Sequence, residues 1–356
     1  MKNLKNNFSG TKISEGLLEF LHQIVVAIAI IVWSLLKAIW AAVTTFGEEI
    51  KKSFSKAPVG LVVVTVIMLV SLAWLIFHRL PPVSTTNLPK YVIGKGVWIY
   101  ELSACEGGDI QKIADKAHED GLNWVAIKTT YKGRSWSKVN SRQDVDGLRI
   151  ALNAYSIKLY SWGYDTGRDP VTEGKFAIST LGVCPDGFIL DAEDEFVNRP
   201  EQAIVLARTI REYIDANCPK ALFAYSTFGR TQKKVGFPFE EFDLYCDCAM
   251  PQFYWEWYKG CTPAAAAKKM MDDWRIAQAG WAHTPKPIIP TLASSDGRHD
   301  MPYTPPEGLK KAAYGFRGYF GVSFYSWDMA TRAHWREIKD APGDLNYQVQ
   351  NNAKKW

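Results

Sequence analysis

The chain has 356 residues, with 42 Lys and Arg against 37 Asp and Glu, which gives a formal net charge of +5. That length is sufficient for a membrane segment and a barrel-sized fold. The basic excess lies before residue 88, and the remaining 34 basic and 33 acidic residues nearly balance, which excludes the concentrated basic surface of a nucleic-acid-binding domain.

Residues 1–80 are predicted to form an α-helical membrane anchor. Pro58–Phe77 is uncharged over the length of about 20 residues that spans a bilayer as a helix. Phe20–Leu36 is also apolar but is flanked by Glu19 and Lys37, so it is either a second span or a helix lying in the interface. A cleaved signal peptide is the competing interpretation, but its apolar segment would be unusually long.

The charges beside the second apolar segment predict its orientation. Lys51, Lys52 and Lys56 precede it, whereas only Arg79 follows closely. The positive-inside rule keeps these lysines in the cytoplasm. The C-terminal domain is therefore expected to face outside the cytoplasm, joined to the anchor by a linker over residues 81–94 that begins in an extended, proline-containing stretch.

From residue 95 onward, short apolar or aromatic segments alternate with amphipathic ones, which is the pattern of β/α units. The predicted strands are Gly96–Leu102, Trp124–Thr129, Lys158–Tyr164, Gly187–Glu193, Ala221–Ser226, Ala249–Trp255, Pro287–Ala293 and Gly321–Trp327. Eight strands with about eight helical crossovers predict an α/β fold, a (β/α)₈ TIM barrel over residues 95–342, followed by a tail over 343–356. A doubly wound sheet is the alternative, but no glycine-rich phosphate loop follows the first strand.

Two carboxylates end the fourth predicted strand. Asp191 and Glu193 are two residues apart in "DGFILDAEDEF", so they share one face of the strand and point into the barrel mouth, where the active sites of this fold form. Burial and the neighbouring charge should raise the pKa of Glu193. A protonated Glu can donate the proton that glycosidic cleavage requires, with Asp191 ionised beside it, whereas a purely structural pair would only bond to backbone and loops.

Aromatic residues at the strand ends suit the flat faces of sugar rings. The predicted substrate-binding aromatics, half of which are expected to be ordinary core, are Trp98, Tyr160, Trp162, Tyr225 and Trp327, together with Tyr254 beside the acids. Gln252, two residues before Tyr254, is also predicted to bind the substrate. Asp328 is either a further carboxylate of the mouth or a cap for the following helix.

The sequence shows no metal or cofactor site. The six cysteines are too few for a disulfide scaffold and are interpreted as core residues, although pairing remains open for a domain outside the cell. His118, His283, His299 and His334 lack ligand spacing and are interpreted as surface residues.

The fourth strand resembles the D-G-x-D-x-D-x-E signature of family 18 glycoside hydrolases, which are chitinase-like. Asp186, Asp191 and Glu193 fall on matching positions, whereas Ile189 stands where that family has its middle Asp. "MPQFY" and "GVSFYSWDM" are similar to its sixth and final strands. The resemblance implies a substrate-assisted mechanism, in which Glu193 protonates the leaving group while Asp191 and Tyr254 hold the acetamido group that attacks.

The chain also resembles family 25 glycoside hydrolases, which are lysozyme-like. "LDAE" is similar to their L-D-x-E motif, and "GLNWVAIKTTYKG" is similar to their second strand, with a Lys in the same place. Trp98 stands where their first strand carries a catalytic Asp. Both resemblances imply a barrel that acts on N-acetylated amino-sugar polymers.

The sequence therefore predicts a membrane-anchored glycosidase of peptidoglycan or a chitin-like glycan, with Glu193 as the acid. The differences at Ile189 and Trp98 leave a non-catalytic carbohydrate-binding barrel open. A structural barrel of an envelope or virion is a third interpretation. The expected partners are a polysaccharide and, through the N-terminal helices, a lipid bilayer; no nucleic acid is expected.

Overall fold

The computed structural model of the chain describes residues 94–136, 142–298, 301–316 and 321–342. The predicted membrane anchor, nearly all of the linker and the tail over 343–356 lie outside these ranges, so their assignments stay predictions. Within the described ranges, no helix combines the length and apolar character needed to cross a membrane.

Eight parallel strands close into a barrel in chain order, with the first strand pairing to the last. They are β1 (Gly94–Ile99), β2 (Trp124–Tyr131), β3 (Lys158–Asp165), β4 (Gly187–Ala192), β5 (Leu222–Phe228), β6 (Cys248–Gln252), β7 (Thr291–Ala293) and β8 (Gly321–Tyr325). Each predicted strand is present. The predicted (β/α)₈ TIM barrel is confirmed.

Helices connect the strands on the outside of the barrel. In the described part of the chain they are α1 (Ile110–Glu119), α2 (Arg142–Ala154), α3 (Pro170–Thr180), α4 (Pro200–Asn217), α5 (Phe239–Tyr245), α6 (Pro263–Gln278), α7 (Pro306–Gly315) and α8 (Arg332–Asp340). The apolar face predicted for α4 is buried, and Pro200 lies in its first turn, where the missing N–H leaves no helical bond unmade.

Several strands end earlier than predicted because the chain turns into short 3₁₀ segments. Leu102–Ala104, Trp255–Trp257 and Trp327–Met329 belong to such turns and not to strands. β7 starts four residues later than predicted, at Thr291. Pro287 and Pro290 precede it, and proline has no N–H to contribute to a sheet.

Two apolar layers enclose the strands. The inner layer fills the barrel with side chains that include Trp98, Trp124, Tyr160 and Trp162, and a larger outer layer packs the helices against the sheet. Trp124 occupies the space that a side chain at Gly96 would need, because a Cβ there would overlap the indole ring. The interior of the barrel is thus a packed core. Active sites in this fold form at the carboxyl ends of the strands, which we call the mouth.

Candidate active site

Four side chains from the even-numbered strands form a ring at the mouth. They are Lys128 on β2, Asp191 on β4, Gln252 on β6 and Tyr325 on β8. In each of these strands the residue two positions earlier faces into the barrel, and residues two positions apart in a strand face the same way. The four residues therefore match one layer of a (β/α)₈ barrel, whose side chains come from alternate strands. We call these four residues the mouth ring.

Gln252 joins the two predicted catalytic carboxylates. Its Nε2 donates to Glu193 Oε1 at 2.8 Å and to Asp191 Oδ1 at 3.2 Å. Asp191 also accepts a hydrogen bond from Ser226 on β5. Both carboxylates are half-buried, so they are open to the mouth and yet fixed by neighbours on β5 and β6.

Burial raises the pKa of both acids. The pKa of Asp191 is held well above its usual range, first by burial and then by the charge of Glu193, while Lys128 and the bond from Gln252 oppose the shift. Burial also raises the pKa of Glu193, against the bond from Gln252. Two coupled acids with raised pKa values hold a proton more readily than free carboxylates do. The pair can therefore exchange a proton with a group bound in the mouth.

Lys128 lies among aromatic rings beside this pair. Its Nζ is 4.3 Å from the ring centroid of Trp136, 4.4 Å from that of Tyr100 and 4.6 Å from that of Trp162, distances at which a cation is attracted to a ring face. The side chain is 4 % exposed. Burial lowers the pKa of Lys128 to about 8, although Asp191 and other nearby carboxylates oppose the shift.

Tyrosines complete the wall of the mouth. Tyr254 is buried two residues after the end of β6, and burial raises its pKa well above the usual range, with the charges of Glu193 and Asp191 adding to the shift. Tyr325 is half-buried, and its ring centroid is 6.0 Å from that of Trp162. The two hydroxyls can offer hydrogen bonds to a ligand beside the acid pair.

Several predicted substrate-binding residues are not at the mouth surface. Tyr225 faces outward, because its hydroxyl donates to Phe239 O on α5 at 3.3 Å and its side chain is fully buried. Tyr160 packs on Trp124 deep in the barrel. Trp98 is 2 % exposed and donates to Ser323 Oγ at 3.0 Å, one layer below the mouth ring. Substrate-contacting roles for Tyr225, Tyr160 and Trp98 were therefore wrong.

Trp162 also lies below the mouth, 1 % exposed, where its indole Nε1 donates to the backbone carbonyl of Ile99 at 3.0 Å. The prediction that Trp162 contacts a ligand was therefore wrong. Its ring face lies under Lys128 instead.

Trp327 and Asp328 lie in the loop after β8, and both are largely buried. The Trp327 ring packs edge-on against Trp335 at 4.6 Å between centroids, so it is not a floor for a sugar. Asp328 Oδ1 accepts from Tyr100 N at 3.2 Å and from Ser326 Oγ at 2.8 Å, which ties the β8 loop to the end of β1. The predicted cap role of Asp328 is wrong, because Thr331 caps α8. The charge of Asp328 acts on Lys128, which fits the other alternative, a further carboxylate near the mouth.

Sequence reasoning missed Lys128 and Tyr325 as members of the mouth ring. Lys128 is the one charged residue in the apolar stretch "WVAIKTT", and its even spacing from Trp124 would have placed it inside the barrel. Tyr325 was passed over in favour of Trp327. Tyr325 and Trp327 are two residues apart and would face the same way in a strand, but the strand ends at Tyr325.

Metal-ligating residues do not gather in groups of three or more anywhere in the described part of the chain. All six cysteines are unpaired, and Cys105, Cys184, Cys246 and Cys248 are buried as predicted for core residues. His334 was wrongly predicted to lie at the surface. It is fully buried, and its Nε2 is 2.7 Å from Thr304 O.

Comparisons with known proteins identify the fold. No model of a known protein family matches this sequence, and no curated protein matches it. Among solved structures, a chitinase from Bacteroides thetaiotaomicron superposes with a TM-score of 0.52 at 12% identity, over 70% of this chain and 94% of that one. An endo-β-1,4-mannanase from Thermotoga petrophila gives 0.52 at 13% identity, over 71% and 77%. A chitinase from Chromobacterium violaceum gives 0.50 at 11% identity, over 69% and 98%.

At these identities the likeness defines the class of the molecule as a (β/α)₈ barrel and leaves its activity to be argued from the site.

Proposed function

We propose that this chain is a membrane-anchored glycoside hydrolase that cleaves an N-acetylated amino-sugar polymer, either peptidoglycan or a chitin-like glycan. The observation that carries the proposal is the hydrogen-bonded set of Glu193, Gln252 and Asp191 within an aromatic mouth. Glycosidic cleavage needs a carboxylic acid that stays protonated near neutral pH, and the raised pKa of Glu193 favours that form. Fold neighbours that are named as chitinases and a mannanase agree with this choice.

The proposed mechanism follows from the position of both carboxylates on one side of the barrel. Asp191 belongs to β4 and Glu193 follows it directly, so Asp191 is poorly placed to attack the sugar from the face opposite Glu193. The substrate would supply the nucleophile. Its acetamido oxygen bonds to the anomeric carbon as the glycosidic bond breaks, and the Glu193 proton moves to the leaving oxygen. Water then opens the cyclic intermediate and returns a proton to Glu193.

In this mechanism Asp191 and Tyr254 orient the acetamido group. The positive charge that develops on that group favours ionisation of Asp191, whose pKa burial and Glu193 hold above the usual range. Gln252 keeps the two acids in register with each other. Because its amide donates to both carboxylates, it favours their ionised forms and limits how far their pKa values rise.

The test is release of reducing ends from chitin and from peptidoglycan by the full-length chain. Glu193→Gln should lower the rate by at least about 100-fold, the usual contribution of an acid catalyst. Glu212→Gln, an exposed position on α4, is the matched control and should retain full activity. Equal rates in wild type and Glu193→Gln would refute the role of Glu193.

A non-catalytic carbohydrate-binding or structural barrel is the second candidate. Two positions favour it: Ile189 is fully buried in the barrel and Trp98 is packed below the mouth, where the two resembled families carry carboxylates. Such a protein would bind a glycan saturably without releasing reducing ends, and its binding would survive Glu193→Gln. A purely structural component of an envelope or virion would bind neither polymer.

The membrane anchor and an outward-facing barrel are part of the proposal and are supported by the apolar segment 58–77 and the lysines before it. The chain should stay with membranes after alkaline extraction and dissolve only in detergent. Protease added to intact cells should remove the barrel. Alkaline release, or protection of the barrel from external protease, would contradict this topology.

A further inference from the structure

The side chain of Lys128 is almost fully buried, and its ammonium group has no hydrogen-bond acceptor among the residues that the structure describes. Its side chain is 4 % exposed, and among the described residues no carbonyl, hydroxyl or carboxylate oxygen accepts from its Nζ. The aromatic rings around it, Tyr100, Trp136, Trp162 and Tyr131, lie between 4.3 and 5.1 Å from Nζ. Ring faces attract a cation but do not satisfy the three N–H donors of an ammonium group.

An ammonium group held among ring faces keeps N–H donors that a ligand can satisfy, and such a bond is favourable because a polar group removed from water needs a partner. The mouth is where that partner can enter, because Lys128 belongs to the mouth ring with Asp191 and Gln252. The nearest contrast is Lys95 at the opposite end of the barrel. Its Nζ is also buried, but it donates to the backbone carbonyls of Asp120, Ile338 and Lys339 at 2.8, 3.0 and 2.8 Å.

The charges around Lys128 indicate which acceptor fits. Asp191, Glu193 and Asp328 all lie close enough to favour its charged form, and Lys132 is a nearby cation that opposes it. Asp328, together with Asp191 and Glu193 whenever these two are ionised, repels an incoming carboxylate at this position. An uncharged oxygen can accept from Lys128 without that repulsion.

We propose that Lys128 is a substrate-binding residue that donates to an uncharged oxygen of a sugar, either a hydroxyl or an acetamido carbonyl, and so selects a neutral sugar unit at this position over one that carries a carboxylate. This inference rests on the proposed function of the mouth and deepens it. Lys128 would act in binding, whereas Glu193 performs the proton transfer.

The experiment measures binding in a Glu193→Gln background, where the full-length chain cannot turn over its ligand. Lys128→Met keeps a long apolar side chain among the rings but removes the donors. It should weaken binding of an N-acetylglucosamine oligomer at least about tenfold, the effect of losing one hydrogen bond to a charged group. Lys132→Met is the matched control, because Lys132 is exposed and its Nζ lies over the rings of Tyr131 and Tyr164. It should bind as before.

Thermal unfolding separates this role from a structural one. Because Lys128 is buried without an acceptor, Lys128→Met should melt at the same temperature as its parent or higher. A lower melting temperature with unchanged affinity would show that Lys128 serves the fold, and it would overturn the inference.

A second ligand tests the preference for a neutral sugar. An oligomer that alternates N-acetylglucosamine with N-acetylmuramic acid carries carboxylates, and it should bind more weakly than the neutral oligomer. An affinity loss in Lys128→Met that is confined to the carboxylate-bearing oligomer would overturn the inference.

The outcomes also distinguish it from the proposed function. Binding that depends on Lys128, in a chain whose wild type releases no reducing ends, would reject the hydrolase and keep the binding role. Release of reducing ends by the wild type, together with normal affinity in Lys128→Met, would keep the hydrolase and reject the binding role of Lys128. Absence of any glycan binding would reject both.

Discussion

Gln252 on β6 and Glu193 after β4 are linked by a 2.8 Å hydrogen bond across the position of β5. The same amide nitrogen reaches Asp191, so one neutral side chain controls the spacing and the charge of both acids. This arrangement makes Gln252 the most informative position in the site after Glu193.

Replacing Gln252 with Leu should raise the pKa of both acids, because its hydrogen bonds favour their ionised forms. If turnover needs ionised Asp191, the acidic limb of the rate–pH profile will move to higher pH, and the rate at its optimum should fall at least about tenfold. Gln278→Leu removes a glutamine that bonds only to Lys286 O and serves as the control. An unchanged profile in Gln252→Leu would contradict this role.

Tyr325 and Trp327 should separate binding from stability. Tyr325 is half-buried in the mouth ring, so Tyr325→Leu should weaken glycan binding by roughly 1 kcal/mol with little change in unfolding. Trp327 packs on Trp335, so Trp327→Leu should lower the free energy of unfolding by about 2–4 kcal/mol. Calorimetric titration and chemical denaturation of both variants measure the two effects. Weaker glycan binding in Trp327→Leu, with lower stability in Tyr325→Leu, would instead make Trp327 the residue on which the sugar stacks.

Asp165 at the end of β3 is a buried acid away from the mouth ring. Burial, reinforced by the charge of Glu173, raises its pKa to about 7, against a bond from Gly133 N, and its Oδ2 lacks a partner in the described structure. The folded pKa exceeds the unfolded value, so Asp165 lowers stability progressively as pH rises from about 4 to 7.

Asp165→Asn should therefore stabilise the protein by about 1–3 kcal/mol at pH 8 and change little near pH 4. Urea denaturation at the two pH values makes the comparison. A stabilisation that is equal at both would show that the charge of Asp165 is not its cause.

Gly96 should not tolerate even a methyl group. A Cβ would overlap the ring of Trp124, so Gly96→Ala should lower the free energy of unfolding by about 1–3 kcal/mol, as overpacking a core does. Gly182→Ala is the control, because the nearest atom to its added Cβ is 3.6 Å away. Equal stability of the two variants would mean that the inner core can rearrange around Trp124.

The sequence was informative where one periodicity dominated. Buried β-strand segments such as "GFILDA" predicted the barrel, and the two-residue spacing placed Asp191 and Glu193 together at its mouth. Tyr225 was misassigned because its position near a strand end was weighed without its parity: Ala224 and Ser226 take the inward places beside it. Trp327 was misassigned because no local pattern marks where β8 stops.

Lys128 was overlooked for a different reason. A lysine within an apolar strand contradicts the usual preference of charged residues for solvent, and only the assembled barrel brings Tyr100, Trp136 and Trp162 around it from separate segments of the chain.

The mouth ring also constrains how the barrel must assemble. Its four members come from strands that are not adjacent, and in each strand the neighbouring residues face the other way. A slip of one residue would present Leu190 or Ala192 in place of Asp191, and Pro251 in place of Gln252. Such a misaligned barrel could still bury its apolar residues in part, but it would lack the mouth ring. The site therefore forms only when the strands align in the correct register.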